Sequence, residues 1–505
     1  MVPAYTPEAQ TLKKPPHRSL CFCRNTVNLV RSHFSSHPRF WLFIAFLWIQ
    51  ALVISFVRTP TPCFPDRTAV ATHFPLPLSL PVVTNVSQPQ LGPASPPPPF
   101  TDECPSGRIY AYDLPSMFNR DLVLPNCTEL DPWNWQCGII TNHGYGGAAT
   151  ELRRFLPQNL FKSWYHTNQF SMELIFHHRI LKHKCRTTDP ESATAFYIPF
   201  YAGLAVGKFL WMNETSKRDW HCRMMLQQVK KQNYWKKFNG SDHFLTIGRI
   251  TWDFRRLSDP GKTWGSSFLN MAAMKKVSRF IIEKAPEDEQ DISVPYPTGF
   301  HPKTRENLNE WQHLVKNYNR TSLFTFVGAT REWVNNDFRG ILLNYCRDES
   351  PLCQLVDCAV SQCSTDSWVI LKALLSSDFC LQPRGDSFTR RSVFDCMVAG
   401  SVPVFFWKRT AYEQYEWFLP GDPESYSVFI DHDKVRNGTS IKQVLMNYSK
   451  QEIEKKRDKV IETIPRIIYA KPNGGFRNFN DAFDIALDGV LERIKEEKEW
   501  ADFLR

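Results

Sequence analysis

The densest set of anion-binding groups in the chain is the stretch PRGDSFTRRSVFD, where Arg384, Arg390 and Arg391 crowd a turn and a helix start around Asp386 and Ser387. Ser387 reads as the helix N-cap, and Arg391 and Asp395 follow it at four-residue steps along one helix face. An apolar strand, DFCL, precedes the turn, and Gly400 and a second strand, SVPVFFW, follow the helix, which makes a βαβ unit. Such a unit aims backbone N–H groups and the positive end of the helix dipole at the crevice above the sheet. A nucleotide diphosphate suits that place: the arginines would neutralise it, and Asp395 would accept hydrogen bonds from ribose hydroxyls. The bland alternative is an Arg391/Asp395 surface ion pair at i,i+4, worth about 0.2–0.5 kcal/mol.

Arg331 follows the strand-like SLFTFVGAT and so belongs at the ligand edge of an α/β sheet. A one-step displacement at a sugar also needs a base for the acceptor hydroxyl. Three residues are candidates by motif: Asp113 in YAYDLP, Asp253 in ITWDF and His301 in TGFHP. Each has a structural alternative, since Asp113 can form a turn, Asp253 can pair with Arg249 or Arg255, and His301 can be a support before Pro302. Asp431 and Asp433 form a DxD pattern able to hold a divalent ion, but a turn with two solvated acids is favoured. The NHGYGG run at 142–147 matches no phosphate-loop pattern and reads as a turn.

These residues need a scaffold, and strand-like and helix-like segments alternate from RIYAYDLP to SVPVFFW, which argues for α/β structure. Near the end, Phe483, Leu487, Val490, Leu491 and Ile494 form the apolar face of a closing helix. Ahead of this head, residues 40–57 read FWLFIAFLWIQALVISFV without a charge, about 27 Å as a helix and enough to span a membrane. No small-x-small cleavage site follows, so an anchor is favoured over a cleaved signal. Six Lys/Arg and one acid, Glu8, precede the span, which places the N-terminus in the cytosol and the head in the lumen. Residues 58–102 form a proline-rich stem.

Seven Asn-x-Ser/Thr sequons, at Asn85, Asn126, Asn213, Asn239, Asn319, Asn437 and Asn447, all follow the anchor, as glycosylation in a secretory compartment requires. Twelve of the 14 cysteines also follow it, an even number suited to disulfides. Cys346, Cys353, Cys358 and Cys363 lack CxxC pairs, so disulfides are favoured over zinc. The net charge of +10 is half confined to the short tail, which speaks against a nucleic-acid-tracking surface.

The segments IYAYDLP, TNQFSMELIFHHRIL, SATAFYIPFYAGLAVG, HFLTIGRITWDFRR, VPYPTGFHP and FCLQPRGDSFTRRSVFDCMVAGSVPVFFW closely resemble the plant exostosin-like transferases, glycosyltransferase family forty-seven. The resemblance covers most of residues 104–500 and is greatest to the enzymes that galactosylate the second xylosyl position of xyloglucan. It implies two facing Rossmann-like domains of the GT-B type, acceptor-side over 103–310 and nucleotide-sugar-binding over 311–505. It implies an inverting enzyme in the Golgi membrane, with UDP-galactose as donor, xyloglucan as acceptor, no cofactor and no metal requirement. Complexes with other Golgi transferases are compatible with that placement. By position, Arg384 and Asp395 correspond to donor-site residues, the acid commonly being Glu in the family, and Arg331 aligns approximately with a basic one. Ser392 stands where animal exostosins carry an arginine in SFRFLE, and Arg391 offers the charge one position earlier. Close relatives transfer galacturonic acid to the same polymer. A galacturonosyltransferase, a non-catalytic lumenal carbohydrate-binding protein and a metal-dependent transferase are therefore the alternatives.

Overall fold

The structure, a computed structural model, describes residues 104–123, 140–257, 264–331, 334, 336–361, 363, 367–471 and 480–503. The expected anchor at 40–57, the tail, the stem, and the sequons Asn85 and Asn126 lie outside the described residues. Among those described, no helix is long and apolar enough to cross a membrane.

Short apolar runs such as AFYI and SRFIIE are buried along their whole length, as strands covered on both faces must be. They build two wholly parallel sheets. The first has the order β2-β1-β3-β4-β5-β6, from β1 (Ile109–Ala111), β2 (Arg186–Thr187), β3 (Ala195–Ile198), β4 (His243–Ile250), β5 (Ser278–Glu283) and β6 (Asp291–Ser293). The second has the order β11-β10-β9-β7-β8, from β7 (Ser322–Gly328), β8 (Cys353–Asp357), β9 (Ser377–Gln382), β10 (Val402–Phe405) and β11 (Val428–Phe429). In both, the second strand lies outside the first and the third lies on the first strand's other side. The chain direction across each sheet therefore reverses between those two strands, β1/β3 and β7/β9, and loops part there to open a crevice at the strands' C-terminal ends.

Helix Arg305–Asn317 links the two sheets, and Thr304 caps its N-terminus. One apolar cluster runs from Phe244 and Phe280 of the first sheet to Val393 and Met397 beside the second, through helix Met172–Leu181 and helix Lys450–Ile467. The closing helix, Ala482–Phe503, buries the five apolar residues that its periodicity singles out. It returns to the first sheet's side, where Arg179 pairs with Asp481 and Asp484 (3.1 Å to the latter) and lies 4.2 Å over the Phe483 ring. Burial, reinforced by Asp481, raises the Asp484 carboxyl to about 7.

Disulfides join Cys104–Cys185, Cys346–Cys353, Cys358–Cys363 and Cys380–Cys396, so the close-set cysteines pair as expected. Among the described residues one cysteine is free, Cys222, buried on helix Thr215–Lys230. An apolar core site accommodates a thiol without requiring a bridge.

Removing Arg179 would leave Asp481, 1% exposed, as an uncompensated buried charge. Arg179→Ala should therefore cost about 3–5 kcal/mol in urea unfolding. A loss below about 1 kcal/mol would show that apolar packing alone holds the closing helix.

Candidate functional site

The second sheet's crevice opens between the ends of β7 and β9. Beyond β7, Arg331 is buried, and its guanidinium grips Asp337 Oδ1 through Nε (3.0 Å) and Nη2 (2.8 Å). Its Nη1 donates to the Gly385 carbonyl at 2.9 Å, so Arg331 fixes the loop that follows β9. Asp337 also caps helix Phe338–Asp348, whose second residue, Arg339, reaches the exposed Asp386 at 3.2 Å. From the far side of the loop, Arg390 Nη2 donates to the Val327 carbonyl at 3.4 Å. Arg384 lies 5.0 Å over the Phe388 ring and 6.0 Å over Trp407.

Three guanidiniums thus meet over two carboxylates. Arg390 is lowered to about 9 by burial and then by its neighbour Arg339, and Arg339 is lowered by burial and then by Arg331. Arg339 Nε and Arg390 Nη1 are buried and have no hydrogen-bond partner among the described residues. Desolvated donors and like charges held together are costly unless an anion joins them. Helix Arg391–Val398 begins at the same place with no side-chain cap, so no side chain accepts from its first N–H groups.

The structure corrects the sequence-based placement of Ser387. The helix starts at Arg391 with Arg390 as N-cap, so Ser387 lies outside it and off the face of Arg391 and Asp395. The cause is Glu283, the buried last residue of β5, whose carboxylate draws the loop out of helical form. It accepts hydrogen bonds from the Ser387 hydroxyl, the Thr389 N–H (2.9 Å) and the Thr389 hydroxyl (2.7 Å). Tyr296 meets the same hydroxyl at 3.0 Å. Sequence reasoning passed over Glu283, although an acid closing the apolar run RFIIE was a visible signal.

Arg391 and Asp395 form the i,i+4 pair at 3.1 Å, but not as a solvated one. Burial raises the Asp395 carboxyl, and Arg391 Nη1 donates to the Thr167 carbonyl at 2.5 Å, across to the other half of the head. The Thr167 hydroxyl meets His301 Nε2 at 2.7 Å, and His301 Nδ1 meets the Tyr469 carbonyl at 2.5 Å. A carbonyl can only accept, so Nδ1 carries the proton; the single Thr167 hydroxyl proton faces two acceptors, Nε2 and the Tyr145 carbonyl at 2.8 Å. Burial lowers His301 to about 3 against the Tyr469 hydrogen bond, which acts the other way, and Arg391 lowers it further.

Asp253 is buried, with Oδ2 bound by Arg249 Nε (2.7 Å) and Oδ1 by Trp264 Nε1 (2.9 Å). Asp113 is exposed just past β1, at the first sheet's own β1/β3 crevice, with no hydrogen-bond partner among the described residues. Asp431 caps helix His432–Arg436 by accepting from the Asp433 N–H at 2.9 Å. With His432 these two acids bring three ligand atoms within 4.8 Å of one another, but after β11, two strands beyond β9. In the NHGYGG run Gly146 has φ +83° and a Cβ there would stand 2.1 Å from the His166 carbonyl oxygen, so the glycine serves packing. Asn213, Asn239, Asn319, Asn437 and Asn447 are all exposed.

Two parallel α/β sheets with an arginine-rich crevice at one switch point have the form of a nucleotide-binding enzyme. Residues 103–445 match the Exostosin GT47 domain, and the chain belongs to that glycosyltransferase family. It is 54% identical over 401 residues to the xyloglucan galactosyltransferase XLT2 of Arabidopsis thaliana, covering 79% of this chain and 77% of that one. To the xyloglucan galactosyltransferase MUR3 of the same plant it is 39% identical over 397 residues, 78% of this chain and 63% of the other. To the xyloglucan-specific galacturonosyltransferase 1 of that plant it is 37% identical over 394 residues, 77% and 58% respectively.

Two outcomes follow from this geometry. Glu283→Gln trades one accepting oxygen for an N–H₂ that cannot accept what the Thr389 N–H and the two hydroxyls now donate, so it should cost about 1–3 kcal/mol of stability and raise the donor KM, as calorimetry and initial rates would show. An unchanged KM in the folded variant would mean that the loop does not depend on Glu283. For His301, a folded value of about 3 against 6.5 unfolded makes the unfolded chain bind the proton first. Its contribution is complete above about pH 6.5 and is lost as pH falls toward 3. Between pH 7 and 5 the wild type should lose about 2 kcal/mol more than His301→Gln in urea unfolding. Parallel losses would show that the ring is not held neutral.

Proposed function

We propose that the chain is an inverting galactosyltransferase that moves galactose from UDP-galactose to xylosyl side chains of xyloglucan in the Golgi lumen, held to the membrane through residues 40–57. The observation that carries this reading is the pair of buried, partnerless donors Arg339 Nε and Arg390 Nη1 beside Arg331. Fixed guanidinium forks suit a diphosphate and gain strength as negative charge develops on the departing UDP, without needing an ion. The relatives' acceptor and sugar supply the rest of the proposal.

In this reading the two sheets are the halves of a GT-B arrangement, with residues 103–310 on the acceptor side and 311–505 on the donor side. Arg331, Arg384 and Asp386 shape the loop, Arg339 and Arg390 hold the diphosphate, and the Arg391/Asp395 pair borders the donor where Asp395 can meet ribose hydroxyls. Asp113 takes the proton of the acceptor hydroxyl, because it is the exposed carboxylate at the first sheet's switch point. Asp253 and His301, with their polar atoms engaged, act as supports. The exposed sequons carry glycans.

The reading is tested on galactose-deficient xyloglucan with UDP-galactose and UDP-galacturonic acid in parallel, with and without chelator. Galactose transfer that survives chelation is expected. Preference for the uronic acid would reassign the sugar, and loss in chelator with rescue by Mn²⁺ would move the diphosphate to Asp431 and Asp433. Arg390→Ala should lower kcat by about 10²–10³ and by more than it raises the donor KM. Asp113→Asn should lower kcat by about 10²–10⁴ while UDP affinity is kept; wild-type turnover would remove the base from this position.

A further inference from the structure

Residues 211–215 read Trp-Met-Asn-Glu-Thr, a sequon with an aromatic residue two positions ahead of its asparagine. None of the other six sequons has an aromatic residue there. The segment is a tight connection between helix Ala202–Gly207 and helix Thr215–Lys230, closed by hydrogen bonds from Leu210 N–H to Gly207 O (3.2 Å) and Met212 N–H to Phe209 O (3.1 Å). The buried Arg218 fixes it further by donating to the carbonyls of Phe209 (3.1 Å) and Met212. Trp211 is 47% exposed and Met212 39%, unusual for side chains on so rigid a turn. The Trp211 ring is not left to wander: it meets Trp264 at 4.7 Å with planes 73° apart, and Trp264 is itself anchored by its hydrogen bond to Asp253. Asn213 stands exposed on the same turn.

We infer that Asn213 carries an N-linked glycan whose first N-acetylglucosamine lies on Trp211, so that this sugar is a structural part of the fold. A pyranose presents a face of C–H groups and an acetyl methyl, which gain by covering an indole, while its hydroxyls stay in water. A rigid turn lowers the entropy lost in making that contact, because the ring and the attachment point are already held close. The occupant is set by covalent attachment two residues away. The inference rests on the lumenal placement of the head and not on which sugar the enzyme transfers.

The full chain, made in a eukaryotic secretory pathway and purified in detergent, tests this through glycopeptide mass spectrometry and thermal unfolding. Asn213 should be occupied, and Asn213→Gln and Thr215→Ala, which remove the same glycan by different routes, should each lower Tm by roughly 2 °C or more. In a Trp211→Ala background the loss of the glycan should change Tm little, since its partner is gone. Trimming to the first N-acetylglucosamine should leave Tm unchanged. An unoccupied Asn213, or additive Tm effects, would overturn the inference. A raised KM for xyloglucan in Trp211→Ala but not in Asn213→Gln would overturn it too, giving the ring to the acceptor. Turnover of UDP-galactose by the wild type is read separately, so failure of the transferase reading would be distinguishable from failure here.

Discussion

A single buried carboxylate ties the two sheets together where chemistry is expected. Glu283 ends β5 of the first sheet and accepts three hydrogen bonds from the loop after β9 of the second. A charge in such a place is tolerated only when its lone pairs are met, and here all the donors come from Ser387 and Thr389. Meeting them sets where the loop ends and where helix Arg391–Val398 begins. That boundary decides which arginines face the crevice: Arg390, held extended as N-cap, turns toward β7, whereas Arg391, one residue on, pairs with Asp395 and bonds to Thr167.

The electrostatic order follows from that boundary. Asp337 accepts most of what Arg331 offers, which makes Arg331 a strut and leaves Arg339, on the following helix, and Arg390, at the end of the loop, to crowd the crevice. Both are lowered by desolvation, Arg390 then by Arg339 and Arg339 then by Arg331. Strain of this kind, maintained by the surrounding packing, is characteristic of sites built for a ligand of opposite charge. Across the crevice, the Arg391 guanidinium, whose charge Asp395 meets, is linked through Thr167 and His301 to the Tyr469 carbonyl.

Much of this was legible in the sequence. The apolar runs of parallel strands, the βαβ unit and the closing helix carry strong local patterns, and the arginine-rich loop was marked by composition alone. What could not be read was set by contacts distant in sequence. Ser387 has the chemistry of an N-cap, yet a partner 104 residues away claims its hydroxyl. Arg339 gave no local signal, because its role depends on β7 and β9 lying side by side. Asp253 and His301 each had a chemical and a structural reading in the sequence, including the Arg249 partner that Asp253 takes, and tertiary contacts reveal how fully their polar atoms are engaged. Cys222 shows the limit of counting, since parity says nothing about which thiol lies alone in a core.

The closing helix has a consequence for biosynthesis. Arg179 meets Asp481, a partner 302 residues further along the chain. At about 5–20 residues per second, translation needs roughly 15–60 s to supply it. During that interval the first sheet lacks the cover of Phe483, Leu487 and Val490 and must wait with apolar surface uncovered. Chaperones of the compartment into which the chain emerges would have their longest engagement with the early half, and release from them would be timed by the arrival of one late helix.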